Sequence, residues 1–299
     1  MPTDISTASS AASGPPQFLR LEEALRVFAT ATSTQGQDHI KPLHRYIAAR
    51  LVLEGGFLPD EITPHPPLKA RQRSSGWILE YAPEDETKAE LTVFGGMKTK
   101  QIDVVAAKPG IGPVIAVSVK GTVNAYRNLV NRMEEAIGDS TNVHVMYPGL
   151  VYGFLHLVRA NRHSHGYDNP DAGVTKDGKI SPYILRYYAA LSEMVGRRFV
   201  RNDFTRYESV ALVMVENDPA SLGRINDEFP VAESSVRLEL FFSRLFDVYD
   251  FRFPFRAENL PIARRVEWLV DSPFLKDLRN AWGDDPENVL GYRLRLTDG

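Results

Sequence analysis

Two apolar segments separated by a short turn constrain the fold of this chain more than any other feature. Residues 101–105 and 114–120 are mostly apolar, and residues 109–113 between them read Pro-Gly-Ile-Gly-Pro. Glycine and proline favour a tight chain reversal, so the pattern predicts a β-hairpin. Such a hairpin brings Asp103 and Lys120 to neighbouring strand ends.

The side chains at this hairpin indicate a class of reaction. A helix predicted from about residue 123 to residue 138 follows the hairpin and carries Glu134. Carboxylates bind hard cations through oxygen, and a bound cation activates water and neutralises charge on phosphorus. A nearby ammonium group such as that of Lys120 can orient the nucleophile. Together with Asp103, the set predicts a phosphodiester hydrolase that uses Mg²⁺ as its cofactor.

The composition excludes several other classes of protein. The chain has 299 residues, of which 43% are hydrophobic, and this is enough to bury a sizeable core. A formal charge of −3 argues against a chain that is basic throughout, but it permits a local basic cleft. Because the chain has no cysteine, disulfide frameworks, thiolate zinc sites and cysteine nucleophiles are excluded. We expect a cytoplasmic protein without a membrane segment, since no leader or long apolar run is apparent.

The order of predicted elements indicates an α/β fold with a mixed central β-sheet flanked by helices on both faces. We predict a disordered tail over residues 1–16, which are rich in small and polar residues, and one domain over residues 17–299. The C-terminal part of that domain, about 220–299, is rich in phenylalanine and is expected to be rich in helix.

Hydrophobic periodicity predicts the individual elements. Helices are expected at about 17–31, 38–54, 123–138, 150–161, 182–196 and 234–246. Strands are expected at about 77–82, 90–96, 101–107, 113–120, 142–147 and 209–216. Residues 59–76 are predicted to form a basic, irregular loop, and residues 163–182 a polar loop.

The spacing of Asp103, the tripeptide Ser118-Val119-Lys120 and Glu134 resembles the PD-(D/E)xK nuclease superfamily. Ser118 stands where most members carry a carboxylate. In the CCGG-type restriction endonucleases the strand motif is Ser-x-Lys, and the following helix supplies the missing carboxylate, for which Glu134 is the match. The resemblance covers about residues 38–147 and implies a restriction-endonuclease-like core.

The resemblance implies a role for each of these residues. Asp103 would be the central magnesium ligand, and Glu134 the second carboxylate. Lys120 would orient the attacking water, with Ser118 as a hydrogen-bonding neighbour. Glu54, at the end of the second predicted helix, matches a further glutamate that supports metal binding in such enzymes.

The resemblance also implies contacts with double-stranded DNA. Arginine reads guanine and asparagine reads adenine, while lysines that contact phosphates position the DNA. Only Arg127 is retained among the residues with which CCGG-type enzymes read bases, so a different recognition sequence is expected. The candidate DNA-binding residues are Asn124, Arg127, Asn128, Asn131, Lys98 and Lys100.

We therefore expect a type II-like restriction or defence endonuclease. Cleavage of both strands at a symmetric site implies a homodimer or homotetramer. Three alternatives stay open: a repair, transposition or recombination nuclease that reads DNA structure, a catalytically inactive relative that binds DNA or a protein partner, and a chance match in an unrelated protein.

Overall fold

A mixed five-stranded sheet organises the chain. The computed structural model describes residues 16–32, 36–200, 203–254 and 259–299. The strands are β1 (Ile62–Thr63), β2 (Leu68–Arg73), β3 (Gly76–Tyr81), β4 (Leu91–Val93), β5 (Lys100–Ile102), β6 (Val104–Lys108), β7 (Gly112–Thr122), β8 (Val151–Arg159), β9 (Ser209–Val215), β10 (Trp268–Leu269) and β11 (Leu296–Thr297). The α-helices are α1 (Leu21–Thr30), α2 (Lys41–Leu53), α3 (Leu129–Met146), α4 (Pro182–Met194), α5 (Phe241–Arg252), α6 (Pro273–Trp282) and α7 (Pro286–Leu290).

The predicted hairpin forms the middle of the main sheet. The strand order is β1-β6-β7-β8-β9, and β6 pairs with β7 in antiparallel register, with Val104 opposite Val117. β7, β8 and β9 run parallel, and α3 and α4 connect them in sequence. Parallel neighbours need such long crossover connections. A second sheet has the order β11-β10-β3-β2, and β4 pairs with β5 alone.

Alternation along the strands divides the buried residues between two faces of the main sheet. On β7, Val117 and Val119 join the core formed with α1, α2 and α5. Ala116 joins the core formed with α3 and α4 on the other face. Successive strand residues point to opposite faces, so the hairpin contributes to both layers. The structure is thus an α/β fold with mixed sheets flanked by helices, as the sequence predicts.

Two elements between residues 142 and 161 were predicted wrongly. Residues 142–147 form the end of α3 and the residue after it, not a strand, although β-branched valines favoured a strand there. Residues 150–161 were predicted as a helix, but they contain β8, all nine residues of which are buried. A strand covered on both faces is continuously apolar, so its sequence shows no two-residue alternation.

The other predictions differ less from the structure. The irregular loop predicted over 59–76 contains β2, whose Arg71 forms an ion pair with Glu80 on β3 at 3.1 Å. The predicted tail over 1–16 lies outside the described residues except for Pro16. In the part of the chain that the structure describes, no helix is both long and apolar enough to cross a bilayer.

The phenylalanines of the C-terminal third serve the core. Phe241, Phe242 and Phe246 on α5 are at most 5% exposed and pack against the main sheet and α2. At Gly153 on β8 an added Cβ would lie 2.7 Å from Cζ of Phe241, so only glycine lets the helix approach this closely. These three side chains are therefore not available as a dimer interface.

A buried carboxylate joins α5 to the sheet. Glu208, directly before β9, accepts hydrogen bonds from Arg197 Nη1 and Arg252 Nη1, both at 2.6 Å. Its second oxygen accepts a hydrogen bond from the Tyr152 backbone N–H at 2.7 Å and lies 3.4 Å from Nε2 of His144. Burial opposes ionisation, but His144 and the two guanidinium groups lower the pKa of Glu208 to about 2.

Replacement of Glu208 by glutamine should lower the free energy of unfolding by about 3–5 kcal/mol, because it leaves two buried guanidinium groups without their counter-charge. Urea unfolding followed by circular dichroism measures the change. Glu239→Gln is the matched control, because the side chain of Glu239 is 65% exposed in its pair with Arg237; it should cost less than about 1 kcal/mol. Equal losses in the two variants would contradict the structural role of Glu208.

Candidate metal centre

The strand pairing of the hairpin places Asp103 in the interior. Asp103 lies between β5 and β6, and its Oδ2 accepts a hydrogen bond from the Val119 backbone N–H on β7 at 2.7 Å. The residue is only 6% exposed. Burial raises the pKa of Asp103 to about 6, although Val119 N–H and the nearby Lys120 act in the opposite direction. Asp103 is thus a fixed carboxyl group that holds its proton more tightly than an exposed aspartate does.

His44 on α2 faces this carboxylate. Its ring is buried, with Nε2 3.7 Å from Oδ1 of Asp103 and Nδ1 3.7 Å from Oε1 of Glu90. Within the described residues, Nε2 of His44 has no hydrogen-bond partner. Burial, followed by the charges of Lys41, His39 and Lys120, lowers the pKa of His44 to about 3. The imidazole is therefore neutral near pH 7, which is the form that binds metals.

Glu90 completes the cluster from the residue before β4. Burial and the neighbouring Asp103 raise the pKa of Glu90 above its ordinary value. Each of His44, Glu90 and Asp103 offers one ligand atom, and these three atoms lie within 4.8 Å of one another. Atoms bound to one cation at about 2.1 Å are at most about 4.2 Å apart, so a cation fits between Nε2 of His44 and Oδ1 of Asp103 with little movement.

The donor atoms of this cluster restrict the choice of metal. Carboxylate oxygens suit Mg²⁺ and Mn²⁺, whereas imidazole suits later transition metals. The mixed set therefore does not select Mg²⁺ specifically, and Mn²⁺, which carboxylate oxygens suit, is a divalent cation with which binding can be tested. An unpartnered, buried Nε2 that faces a carboxylate is the local feature consistent with a bound cation.

Lys120, at the C-terminal end of β7, lies beside the cluster. Its Nζ forms an ion pair with Oε1 of Glu135 on α3 at 3.2 Å. Partial burial opposes ionisation, but Lys120 and Lys100 lower the pKa of Glu135. One turn further along α3, Asp139 binds Lys100 through an ion pair. Glu135 and Asp139 are four residues apart, so they share one face of the helix.

The structure brings Glu135 rather than Glu134 to Lys120. The buried positions of α3 include Met133, Ala136 and Ser140, whereas the Glu134 side of the helix is exposed. Val130 and Ile137, four residues before and three residues after Glu134, are 65% and 39% exposed. The apolar residues on the face that carries Glu134 are therefore not core positions.

Glu54 does not belong to this cluster. It is the residue after α2, ten positions beyond His44, and ten residues of helix span about 15 Å. Its Oε2 instead accepts a hydrogen bond from Nε of Arg50 at 2.5 Å. The position on α2 that approaches Asp103 is His44, so the predicted metal role of Glu54 is not supported by its location.

Ser118 points away from the metal cluster. It is 3% exposed, and its Oγ forms a hydrogen bond with the Tyr152 hydroxyl at 2.7 Å in the layer beneath α3 and α4. The interpretation of Ser118 as a hydrogen-bonding residue agrees with this contact, but the partner is a core tyrosine rather than water or substrate.

The segment that follows β7, from the loop into the first turn of α3, exposes four of the predicted DNA-binding residues. Asn124, Arg127, Asn128 and Asn131 are all exposed. Four hydrogen bonds anchor the loop to the rest of the structure. The Val123 carbonyl accepts from Asn161 at 2.6 Å and from Arg159 at 3.2 Å. The Ala125 N–H donates to Asp171 at 2.7 Å, and the buried Tyr126 hydroxyl donates to the Arg159 carbonyl. The helix predicted from residue 123 consequently begins only at Leu129.

The two predicted phosphate-binding lysines differ in their surroundings. Lys98 is exposed, and its backbone is held by the side chain of Asn142 on α3. Lys100 is partly buried in its ion pair with Asp139, so its charge is already balanced. Lys98 therefore remains a candidate phosphate contact, whereas Lys100 stabilises the charges around Asp103 and Glu135.

Sequence reasoning missed two residues of the site, His44 and Glu90, and it preferred Glu134 to the neighbouring Glu135. His44 lies on the apolar stripe of α2 between Ile40 and Ile47, and a lone histidine on such a stripe is the signal that was available. Glu90 immediately precedes a strand that pairs next to Asp103, but nothing in its local pattern distinguishes it.

No family model matches the chain, and no curated protein or solved structure matches it either.

Mn²⁺ should raise the midpoint of thermal unfolding of the wild-type protein, because a ligand that binds only the folded state stabilises it. Asp103→Asn and His44→Ala should abolish the shift, while Glu90→Gln should weaken binding by about 10–100-fold if Glu90 mainly orients the imidazole. Glu134→Gln and Glu54→Gln are the controls and should behave like the wild type. A full shift in Asp103→Asn would contradict the assignment of the centre.

Metal binding should depend on pH through Asp103. Its pKa rises from 3.8 to about 6 on folding, so metal-free stability declines as pH rises through this range, when the buried carboxyl loses its proton. The cation requires the carboxylate, so the Mn²⁺-dependent shift should grow between pH 5 and pH 7 and then level off. Differential scanning fluorimetry with and without Mn²⁺ at each pH measures this; a shift that is already maximal at pH 5 would exclude Asp103 as the titrating ligand.

Proposed function

We propose that this protein is a divalent-cation-dependent endonuclease that hydrolyses phosphodiester bonds in double-stranded DNA. The observation that carries the proposal is the convergence of His44, Glu90 and Asp103 beside Lys120 at the end of a buried hairpin. A cation ligand set next to an ammonium group is what hydrolysis of a phosphodiester requires. The mixed sheet with α2 and α3 on its two faces is consistent with a restriction-endonuclease-like core.

Each residue has a distinct role in this proposal. Asp103 and His44 hold the cation, and Glu90 orients the imidazole through Nδ1. The cation, when bound, acidifies water and neutralises the charge that develops on the phosphate. Lys120 orients the attacking water, and Glu135 holds the ammonium group in position through its ion pair. Ionised Glu135, rather than Glu134, is the carboxylate that the helix contributes.

The exposed loop after Lys120 supports DNA as the substrate. Asn124, Arg127, Asn128 and Asn131 lead away from the centre on one continuous segment, and asparagine and arginine are suited to reading base edges. Lys98, on the loop whose backbone is bound by Asn142 of α3, is the candidate phosphate contact. Because one chain carries one such centre among its described residues, cleavage of both strands would use two copies in a homodimer or a larger assembly.

The test is incubation of the wild-type protein with long unmethylated DNA in Mg²⁺, Mn²⁺ or EDTA. We expect cation-dependent cleavage that Asp103→Asn abolishes and that Lys120→Ala slows by about 10²–10³-fold. Glu134→Gln is the control and should cleave like the wild type. If Asp103→Asn cleaves DNA at the wild-type rate, the assignment of Asp103 to the catalytic centre is wrong.

The products distinguish the proposed enzyme from its alternatives. Discrete fragments support a sequence-specific restriction enzyme, whereas cleavage confined to junctions or branched DNA supports a repair or recombination nuclease. Cation-independent DNA binding without any product supports an inactive relative. The absence of any salt-sensitive affinity for DNA would favour an unrelated protein.

A further inference from the structure

A cavity opens directly beside the metal centre, on the α2 side. Its volume is about 250 Å³, which is many times what one water needs. His44 lines this cavity and also belongs to the metal cluster, so the two sites share this residue. The N-terminal segment, the first turns of α2 and the segment before β4 form the remaining walls.

The charge of the cavity wall favours an anion. Lys41, Arg45 and Lys88 contribute three positive charges, and Asp38 is the acidic residue among them. Lys41 lies 3.1 Å from Asp38, and Arg45 lies 3.2 Å from Glu86. Among the residues that the structure describes, Lys88 has no acidic group within 4.0 Å and is exposed. The wall therefore offers at least one uncommitted ammonium group to a phosphate.

An aromatic residue whose ring borders the same cavity has an unusual backbone conformation. Phe18 has φ = 63°, a left-handed value that a bulky side chain rarely adopts. Its backbone N–H donates to Glu23 at 2.8 Å, and Glu23 is held in turn by Arg20 at 2.7 Å. The Phe18 ring lies 5.6 Å from the guanidinium carbon of Arg45. The ring is partly buried against the core and borders the cavity, so packing sets its position at the cavity edge.

We propose that this cavity binds one nucleotide next to the phosphate under attack, with Lys88 on its phosphate and Phe18 stacked on its base. Both faces of a base within a duplex are covered by its neighbours, so the base bound here is unpaired. The proposal rests on the proposed function and adds that one nucleotide beside the cleaved bond is turned out of the duplex when it binds. Stacking on Phe18 is tolerant of base identity.

Binding of fluorescein-labelled oligo(dT) and of an abasic oligomer of equal length, both in EDTA, separates the two contacts. Lys88→Gln should weaken binding of both oligomers and reduce the slope of log K against log salt by about 0.7. Phe18→Leu should weaken binding of oligo(dT) by about 5–150-fold and leave the abasic oligomer unaffected.

Two variants elsewhere on the surface serve as controls. Lys276→Gln, at an exposed position of α6, and Phe199→Leu, at a residue that is 64% exposed, should bind like the wild type. Phe18→Trp provides a second readout if Phe18→Leu unfolds, since its fluorescence should be quenched by oligo(dT) and not by the abasic oligomer.

The outcomes separate this inference from the proposed function. If the wild type cleaves DNA while Phe18→Leu and Lys88→Gln bind both oligomers unchanged, the cavity is not a nucleotide site and the nuclease proposal stands. If the wild type binds neither oligomer and cleaves no DNA, both proposals fail. Loss of oligo(dT) binding alone in Phe18→Leu, with the abasic oligomer unaffected, supports the stacking contact.

Discussion

The hydrogen bond between the Val119 N–H and the Asp103 carboxylate is the contact on which the candidate site depends. It joins the two strands of the hairpin between the end of β5 and the start of β6. It also holds a carboxyl group inside the sheet instead of at its surface. A buried carboxyl is costly unless its oxygens are satisfied. One Asp103 oxygen is satisfied by the backbone, and the other faces His44.

Charged and titratable groups surround this carboxylate on two sides, the α2 side and the α3 side. His44 and Glu90 approach it from the α2 side, while Lys120, Glu135, Lys100 and Asp139 form two ion pairs on the α3 side. The ion pairs balance charge where α3 covers the sheet, and the histidine side keeps an unpartnered nitrogen. The ion pairs on the α3 side therefore neutralise each other's charges, whereas the His44 side offers a position that can accept a cation. Stability is provided elsewhere, by apolar packing and by the Glu208 cluster beneath α5.

Much of the fold was accessible from sequence because its strongest signals are local. The hairpin, the first two helices and α4 depend on short-range turn and periodicity signals, and all four were predicted close to their observed bounds. β8 was mistaken for a helix because burial on both faces removes the alternation that identifies a strand. The end of α3 was mistaken for a strand because tertiary contacts of Asn142 and Val143 override the strand propensity of the valines.

The sequence by itself determined the hairpin and therefore the proximity of Asp103 and Lys120, since two strands joined by a short turn have few possible registers. Only the tertiary structure decided which partners meet them. His44 and Glu90 come from segments 59 and 13 residues before Asp103, and no local pattern encodes their approach. The choice of Glu135 over Glu134 depends on the rotation of α3 about its axis, which its packing against the sheet sets. A difference of one residue turns a helical side chain by about 100°, so the rotation alone moves one carboxylate to Lys120 and the other into solvent.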